Sequence, residues 1–333
     1  MHNFKFKTYI WENLIRSDRV SKNKKKTVEY GKYGLFFIIP FFIAFIVFQF
    51  YPLIYTIFKS FLYDSKAGRH AAVTTAFGLG NYINYVFGEA GNGELWQALA
   101  ITVVLWLLNF IPQILLSLLL AAWFTDAQYK LKGTGVYKVI MYMPNIITAA
   151  TIAVLFYNFF NVNGMITKTL IDAGMISKDG LIDKGWWSLL IIAFIQFWMW
   201  YGNTMIVLIA GIMGINPSLY EAAMVDGATS RQQFFKITLP LLRPILQYTM
   251  VTSAIGGLQM FDIPQLFNKG IPLIQIGDST VKSTTTVVML IKQYASLGST
   301  TENLGRASAY SVILFLVTLC VSMIFYKMTA EKN

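Results

Sequence analysis

The chain alternates between long apolar runs and short polar connections. Six stretches contain no Asp, Glu, Lys or Arg: residues 33–58, 95–125, 139–167, 185–220, 244–261 and 307–326. A charge at the centre of a bilayer costs roughly 2.5–3.5 kcal/mol, so runs of this kind read as membrane crossings. Each is near or above the roughly 20 residues that cover about 30 Å of hydrocarbon at about 1.5 Å per residue. The fifth is the shortest and carries Gly256-Gly257. It is expected to continue past Asp262 toward Phe267, with the carboxylate facing the protein interior or the water boundary. Uncharged polar residues punctuate the runs at Asn109, Gln113, Asn145, Gln196, Asn203 and Gln259, which suits a transport bundle better than a simple anchor. Trp96, Trp106, Trp186, Trp187 and Tyr326 lie near run ends and read as interfacial anchors. Gly202, Gly211 and Gly214 read as close helix contacts. Residues 283–291 are expected to form an amphipathic segment along the outer surface.

Charge sets the orientation. Nine Lys and Arg precede the first run, and a cytoplasmic N-terminus places 17 on the inner side against 10 on the outer. With six crossings both termini are cytoplasmic. Lys24 and Glu221 then lie inside, and His70, Asp179 and Asp278 outside. Residues 1–32 form a basic cytoplasmic tail, 33–328 the transmembrane domain and 329–333 a short cytoplasmic end. The tail reads as a topology signal that binds lipid headgroups, not as a nucleic-acid patch. The first run is too long for the apolar core of a cleavable signal peptide.

Composition agrees with the pattern: 333 residues, 56% apolar and 13% charged, with a mean hydropathy of +0.54. Soluble domains carry about 25% charged residues. A single cysteine, Cys320, excludes a disulfide framework, and His2 and His70 are too far apart to suggest a metal site. No G-x-x-x-x-G-K-[ST] loop, H-E-x-x-H or G-x-S-x-G string occurs, so nucleotide binding by that loop and the common hydrolytic chemistries find no support. Asp262 is the one carboxylate that could sit within a span, which argues against an ion-coupled carrier.

Residues 214–244 are the most informative. Asn216-Pro217 suits an N-cap followed by the first helical position, while Ser218 with Glu221 offers a competing capping box. Asp226-Gly227 is a turn pair. Thr229 or Ser230 can cap a second helix, with Gln233 in capping-box register to Ser230, and Pro240 and Pro244 limit its continuation. Ala222 and Ala223 give a small-residue face that another backbone could approach. Such a helical hairpin between two membrane runs looks built to dock a partner.

Glu-Ala-Ala alone is a common helical triplet. Here Glu221-Ala222-Ala223 is followed after three residues by Gly227, and after nine more by Ile237-x-Leu239-Pro240. That spacing resembles the EAA signature of ABC-importer permeases, in particular the carbohydrate-uptake, MalF-like, binding-protein-dependent branch. Gly78-Leu-Gly-Asn-Tyr82, Met143-Pro144 and the Gly256–Pro264 string are similar to further pieces of that family, and the resemblance covers residues 33–328.

It implies an all-α integral membrane protein with six transmembrane helices and a cytoplasmic EAA coupling hairpin at about 215–243. It also implies a non-enzymatic subunit that imports a carbohydrate, most simply an oligosaccharide, across a bacterial cell membrane. The implied partners are a second EAA-bearing permease, two ATPase subunits that carry ATP and Mg, and an extracellular binding protein; no cofactor is implied on this chain. Glu221, Ala222, Ala223, Asp226, Gly227, Ile237, Leu239 and Pro240 would couple to the ATPase. By match to the family's motifs, Asn145, Thr148, Tyr201, Gly202, Asn203, Met205, Gly256, Gly257, Gln259 and Met260 would meet the substrate. The alternatives are a permease for glycerol phosphate or another polar solute, and a non-ABC carrier or channel.

Overall fold

The computed structural model describes residues 31–66, 73–126, 132–176, 180–276, 279–296 and 303–329. The basic tail up to residue 30, including Lys24, lies outside them, as do His70, Asp179, Asp278 and residues 330–333. The chain divides into two compact units after Tyr55. The first holds α1 (Gly31–Phe45), a π-helical turn (Ile46–Phe50) and the start of α2 (Tyr51–Ser60). Pro52 has no N–H to give the carbonyl of Phe48, and the turn before it widens. From Phe36 to Tyr55 the side chains are exposed, with Phe41 stacked on Phe45 and Tyr51 on Tyr55.

In the second unit a hairpin pairs β1 (Leu62–Lys66) with β2 (Val73–Phe77), Leu62 opposite Phe77. The Gly78–Tyr82 motif staples it down. Asn81 donates to the carbonyls of Ser60 and Leu62 at 3.0 and 2.8 Å, and the Tyr82 hydroxyl bonds Ser60 Oγ at 2.8 Å. Then follow α3 (Glu94–Thr125), α4 (Thr134–Ile146), α5 (Ala149–Phe160), α6 (Met165–Asp172) and α7 (Gly185–Met213).

Among the described residues five stretches are long and apolar enough to cross a membrane: Phe36–Ser60, Glu94–Thr125, Ala149–Asp172, Gly185–Met213 and Leu304–Met328. Two of the six runs differ from their sequence reading. The third is not one helix. It continues through Pro144 and breaks at Ile147-Thr148, where the Thr148 side chain caps α5 by accepting from Thr151 N. The fifth is also interrupted. Helix α11 (Arg243–Leu258) is only 16 residues long, and a kink at Gln259–Phe261 leads into α12 (Asp262–Phe267). Phe261, at φ −140° and ψ −52°, leaves the helical region there.

Helix α7 is the central element, and its packing on α3 is polar as well as apolar. Gln113 Nε2 donates to Thr204 Oγ1 at 2.7 Å, and Ser117 Oγ to the Tyr201 carbonyl at 2.7 Å. One apolar layer gathers Leu105, Ile152, Ile192, Ile195, Ile263 and Phe267 from α3, α5, α7 and α12. A second, at the other end of α7, joins Ala121, Met205, Leu208 and Leu242.

After α12 come a small hairpin of β3 (Leu273–Ile276) and β4 (Ser279–Lys282), then α13 (Val287–Ala295) and α14 (Leu304–Thr329). Residues 283–291 do not lie along a surface as the sequence suggested. Their hydroxyls are buried and find internal partners: Thr284 bonds Asn268 Oδ1 at 2.9 Å and Thr286 bonds the Met260 carbonyl at 2.7 Å. An ion pair between Arg306 and Glu94 ties α14 to α3, with the guanidinium also 4.1 Å from the centre of the Tyr294 ring. Burial first, and then the Glu94 carboxylate that accepts a hydrogen bond from the hydroxyl, push the Tyr294 phenol up from its usual range.

Candidate functional site

Two features stand out, a helical hairpin after α7 and a cavity between α3, α7 and α11. In the hairpin, α8 (Pro217–Val225) starts from Asn216, whose side chain accepts from Ser218 N at 3.1 Å with Pro217 in the first turn. It ends in a left-handed residue, Gly227, at φ +76°. The Gly227 and Ala228 amides return to the carbonyls of Met224 and Ala223 at 3.0 and 2.8 Å, closing the helix end. Only a residue without Cβ takes that φ without strain. Thr229, not Ser230, then caps α9 (Ser230–Gln233), in a capping box with Gln232. The helix widens into a π turn (Phe234–Thr238) two residues before Pro240, which lacks the N–H for the Lys236 carbonyl, and continues as α10 (Leu239–Leu241). Tyr220 and Thr238 clasp the two arms through their hydroxyls at 2.9 Å.

Glu221, Ala222, Asp226, Gly227 and Pro240 are exposed, and Ala223, Ile237 and Leu239 half-buried. Sequence reasoning passed over Val225, which is 88% exposed beside Asp226. An apolar side chain so bare next to a charged turn is a surface that another protein can cover.

The cavity holds about 400 Å³. Helix α3 supplies Trp106, Asn109 and Gln113, and α7 a single face spaced by three and four residues: Gln196, Met199, Trp200, Asn203, Thr204 and Val207. Helix α11 and the kink after it add Tyr248, Thr252, Ser253, Gly256, Gly257, Gln259 and Met260, and the start of α12 adds Asp262. The side-chain amides of Gln196, Asn203 and Gln259 have no hydrogen-bond partner among the described residues. The cavity therefore offers aromatic faces and unengaged amides together.

Of the residues proposed from sequence, Asn203, Gly256, Gly257, Gln259 and Met260 line this cavity. Asn145, Thr148, Tyr201, Gly202 and Met205 do not. Asn145 donates to the Met199 carbonyl at 3.2 Å, and Thr148 caps α5. Tyr201 and Met205 lie on the far face of α7, buried in its packing with α3. An alanine Cβ at Gly202 would run into the backbone of Met141 and Tyr142, so this glycine admits α4. Trp106, read as an interfacial anchor, is instead 5% exposed and lines the cavity. Asn109, Gln113 and Gln196 were visible as polar breaks in apolar runs, but the sequence alone did not bring them together.

Residues 95–329 match the family described as the inner membrane component of binding-protein-dependent transport systems. The chain belongs to this family. It is therefore a membrane transport subunit and not an enzyme. Among its relatives, the lactose transport system permease protein LacF of Rhizobium radiobacter is 29% identical over 242 residues, covering 72% of this chain and 78% of LacF. The arabinooligosaccharides transport system permease protein AraP of Bacillus subtilis is 28% identical over 304 residues, covering 89% of this chain and 88% of AraP. The fold matches the crystal structure of a bacterial ABC transporter involved in import of the acidic polysaccharide alginate. That match has a TM-score of 0.70 at 23% identity and covers 93% of this chain and 98% of the other. The permease thus has the family's helical membrane fold, with the hairpin where the EAA signature falls.

Proposed function

We propose that this permease is one of two membrane subunits of an ATP-driven importer that translocates a carbohydrate, most simply an oligosaccharide, delivered by an extracellular binding protein. The cavity carries the reading. Saccharides present C–H faces that suit Trp and Tyr rings and hydroxyl edges that suit amides, and Trp106, Trp200 and Tyr248 stand beside Gln196, Asn203 and Gln259. Sugar-transporting relatives such as LacF and AraP favour the same substrate class. Asn203, Gly256, Gly257, Gln259 and Met260 would meet the solute directly, while Asn145, Tyr201, Gly202 and Met205 would hold α4 and α7 in place behind it and Thr148 would cap α5.

The hairpin, with Glu221, Ala222, Ala223, Asp226 and Gly227 on one arm and Ile237, Leu239 and Pro240 on the other, docks one of two ATPase subunits, which hold ATP and Mg. A second permease with its own hairpin completes the pore. The N-terminus, hairpin and C-terminus face the cytoplasm, in keeping with the Lys and Arg distribution. Closure of the ATPases would drive the two hairpins together and switch the cavity between its openings as a rigid-body rearrangement.

Purification of the chain from native membranes tests the assembly: ATPases and a second EAA-bearing permease should accompany it, and an isolated homo-oligomer would defeat the reading. For orientation, a cysteine at Glu221 in a Cys320→Ser background should label only from the cytoplasmic side, and one at Glu89 only from outside.

A further inference from the structure

The cavity lining is strongly asymmetric in charge. Asp262 is its one carboxylic side chain, and no Lys, Arg or His lines it among the described residues. Asp262 is exposed and takes no part in the ion pair between Arg306 and Glu94. Lys292 sits 5.0 Å over the ring of Phe261, which lines the cavity, but does not itself line it. Position adds to this. Helix α11 begins directly after the hairpin and its 16 residues rise about 24 Å. Asp262, just past the kink, therefore stands at the end of the cavity remote from the hairpin.

We infer that Asp262 is a specificity-determining residue that makes this permease select uncharged saccharides over uronates and sugar phosphates. The inference rests on the carbohydrate reading of the cavity and names the class within it. A solute entering past Asp262 brings its substituents close to a fixed carboxylate, with no cation in the described lining to compensate. A hydroxyl can donate to that carboxylate. A second carboxylate or a phosphate is repelled and loses its own hydration on entry. For like charges about 5 Å apart, the Coulomb term changes affinity from about fourfold in bulk water to over a hundredfold in a partly protein-like medium. Because Asp262 is exposed, the expected preference is roughly tenfold.

The test separates this subunit's selectivity from that of the binding protein. The intact transporter, in lipid nanodiscs without binding protein, is titrated with maltotriose, cellotriose and raffinose, and with the C6-carboxylate form of each. The parent should bind at least one neutral trisaccharide about tenfold more tightly than its carboxylate form, and the preference should shrink as salt rises from about 0.01 M to about 1 M. Asp262→Asn should bring the ratio to within about twofold and remove its salt dependence, whereas Asp262→Glu should keep both. If the parent prefers the neutral sugar and Asp262→Asn keeps that preference with its salt dependence, the role of Asp262 is overturned while the carbohydrate cavity stands. Equal binding of both forms by the parent likewise overturns the selectivity alone. If the parent binds none of the six sugars, the carbohydrate reading falls and the inference with it.

Discussion

Two adjacent glycines in α11 should respond to the same substitution with opposite sign. Around an alanine Cβ at Gly256 there is nothing within 4 Å, whereas at Gly257 it would land on the indole of Trp106. Glycine costs a helix interior about 0.8–1 kcal/mol relative to alanine, so Gly256→Ala should stabilise the protein by up to that amount. At Gly257 the same gain is opposed by overpacking, typically about 1–3 kcal/mol. Trp106 cannot yield easily. It is buried, stacked on Phe110 at 5.7 Å, edge-on to Phe325 at 5.8 Å, and donates to Ser253 Oγ at 3.1 Å. If that hydrogen bond is lost as well, about 0.5–1.5 kcal/mol is added. The net expectation for Gly257→Ala is a destabilisation of about 1–2 kcal/mol. The free direction for the indole is the cavity, so solute affinity should drop too, by roughly tenfold for each 1.4 kcal/mol lost. Thermal unfolding in detergent, with saccharide uptake in proteoliposomes containing the partner subunits, reads both effects. Gly256→Ala should melt at or above the parent and Gly257→Ala about 3 °C or more below it. Shifts of the same sign and size in the two variants would refute the packing argument.

Three further outcomes are expected. Gly227→Val, which forces a Cβ onto a residue at φ +76°, should reorient the second arm of the hairpin. It should reduce transport and binding-protein-stimulated ATPase activity more than Glu221→Gln does, and parental rates in Gly227→Val would remove the hairpin from the coupling path. Asn203→Leu and Gln259→Leu each delete an amide that lines the cavity and should lower uptake by about tenfold with the complex still assembled, since an unpaired polar partner costs about 1–3 kcal/mol; parental kinetics in both would place solute contact elsewhere. Glu94→Gln leaves Arg306 without its carboxylate among three tyrosine rings and should destabilise the protein by roughly 3 kcal/mol, which Arg306→Met in the same chain should partly restore in a double-mutant cycle.

What the sequence disclosed follows from how local each signal is. The apolar runs and the hairpin were legible because hydropathy, caps and turn chemistry act over a few residues: Asn216-Pro217 and Asp226-Gly227 do in the structure what their spacing predicts. Even so, Thr229 prevailed over Ser230 as the second cap, because both could reach an amide and only backbone geometry decides between them. The breaks were harder to locate. The discontinuity in the third run falls at Ile147-Thr148, three residues beyond Pro144, which the helix carries inside its last turn. The cavity was least legible. Helix α7 is apolar almost all round, so composition could not say which of its faces packs on α3 and which lines a space. Tyr201, Gly202 and Met205 were grouped with Asn203 by match to the family's motifs, yet a turn of about 100° per residue places them on other faces of α7.

Helix α11 joins the hairpin to the cavity, and its packing is uneven along its length. Near the hairpin it is held tightly. Leu242 is fully buried against Met205, Leu208 and Ile212 of α7, and an alanine Cβ at Gly211 would strike Leu242 and Ile245. The Tyr220–Thr238 clasp binds the arms of the hairpin just before that contact. Toward its other end α11 borders open volume: Thr252, Gly256 and Gln259 are exposed to the cavity, and the helix stops at Gln259–Phe261 instead of running on. Under the proposed coupling role, a displacement of the hairpin would reach the base of α11 through these packed side chains, while the cavity-facing side of its other end is bare and its opposite side is held by Ala254 and Leu258. If the hairpin couples to an ATPase as proposed, the broken crossing, which looked from sequence like a span too short for its task, would carry a displacement of the hairpin to the wall of the cavity, with Gly257 against Trp106 and Ile263 and Phe267 in the α3–α7 layer as its points of contact with the core.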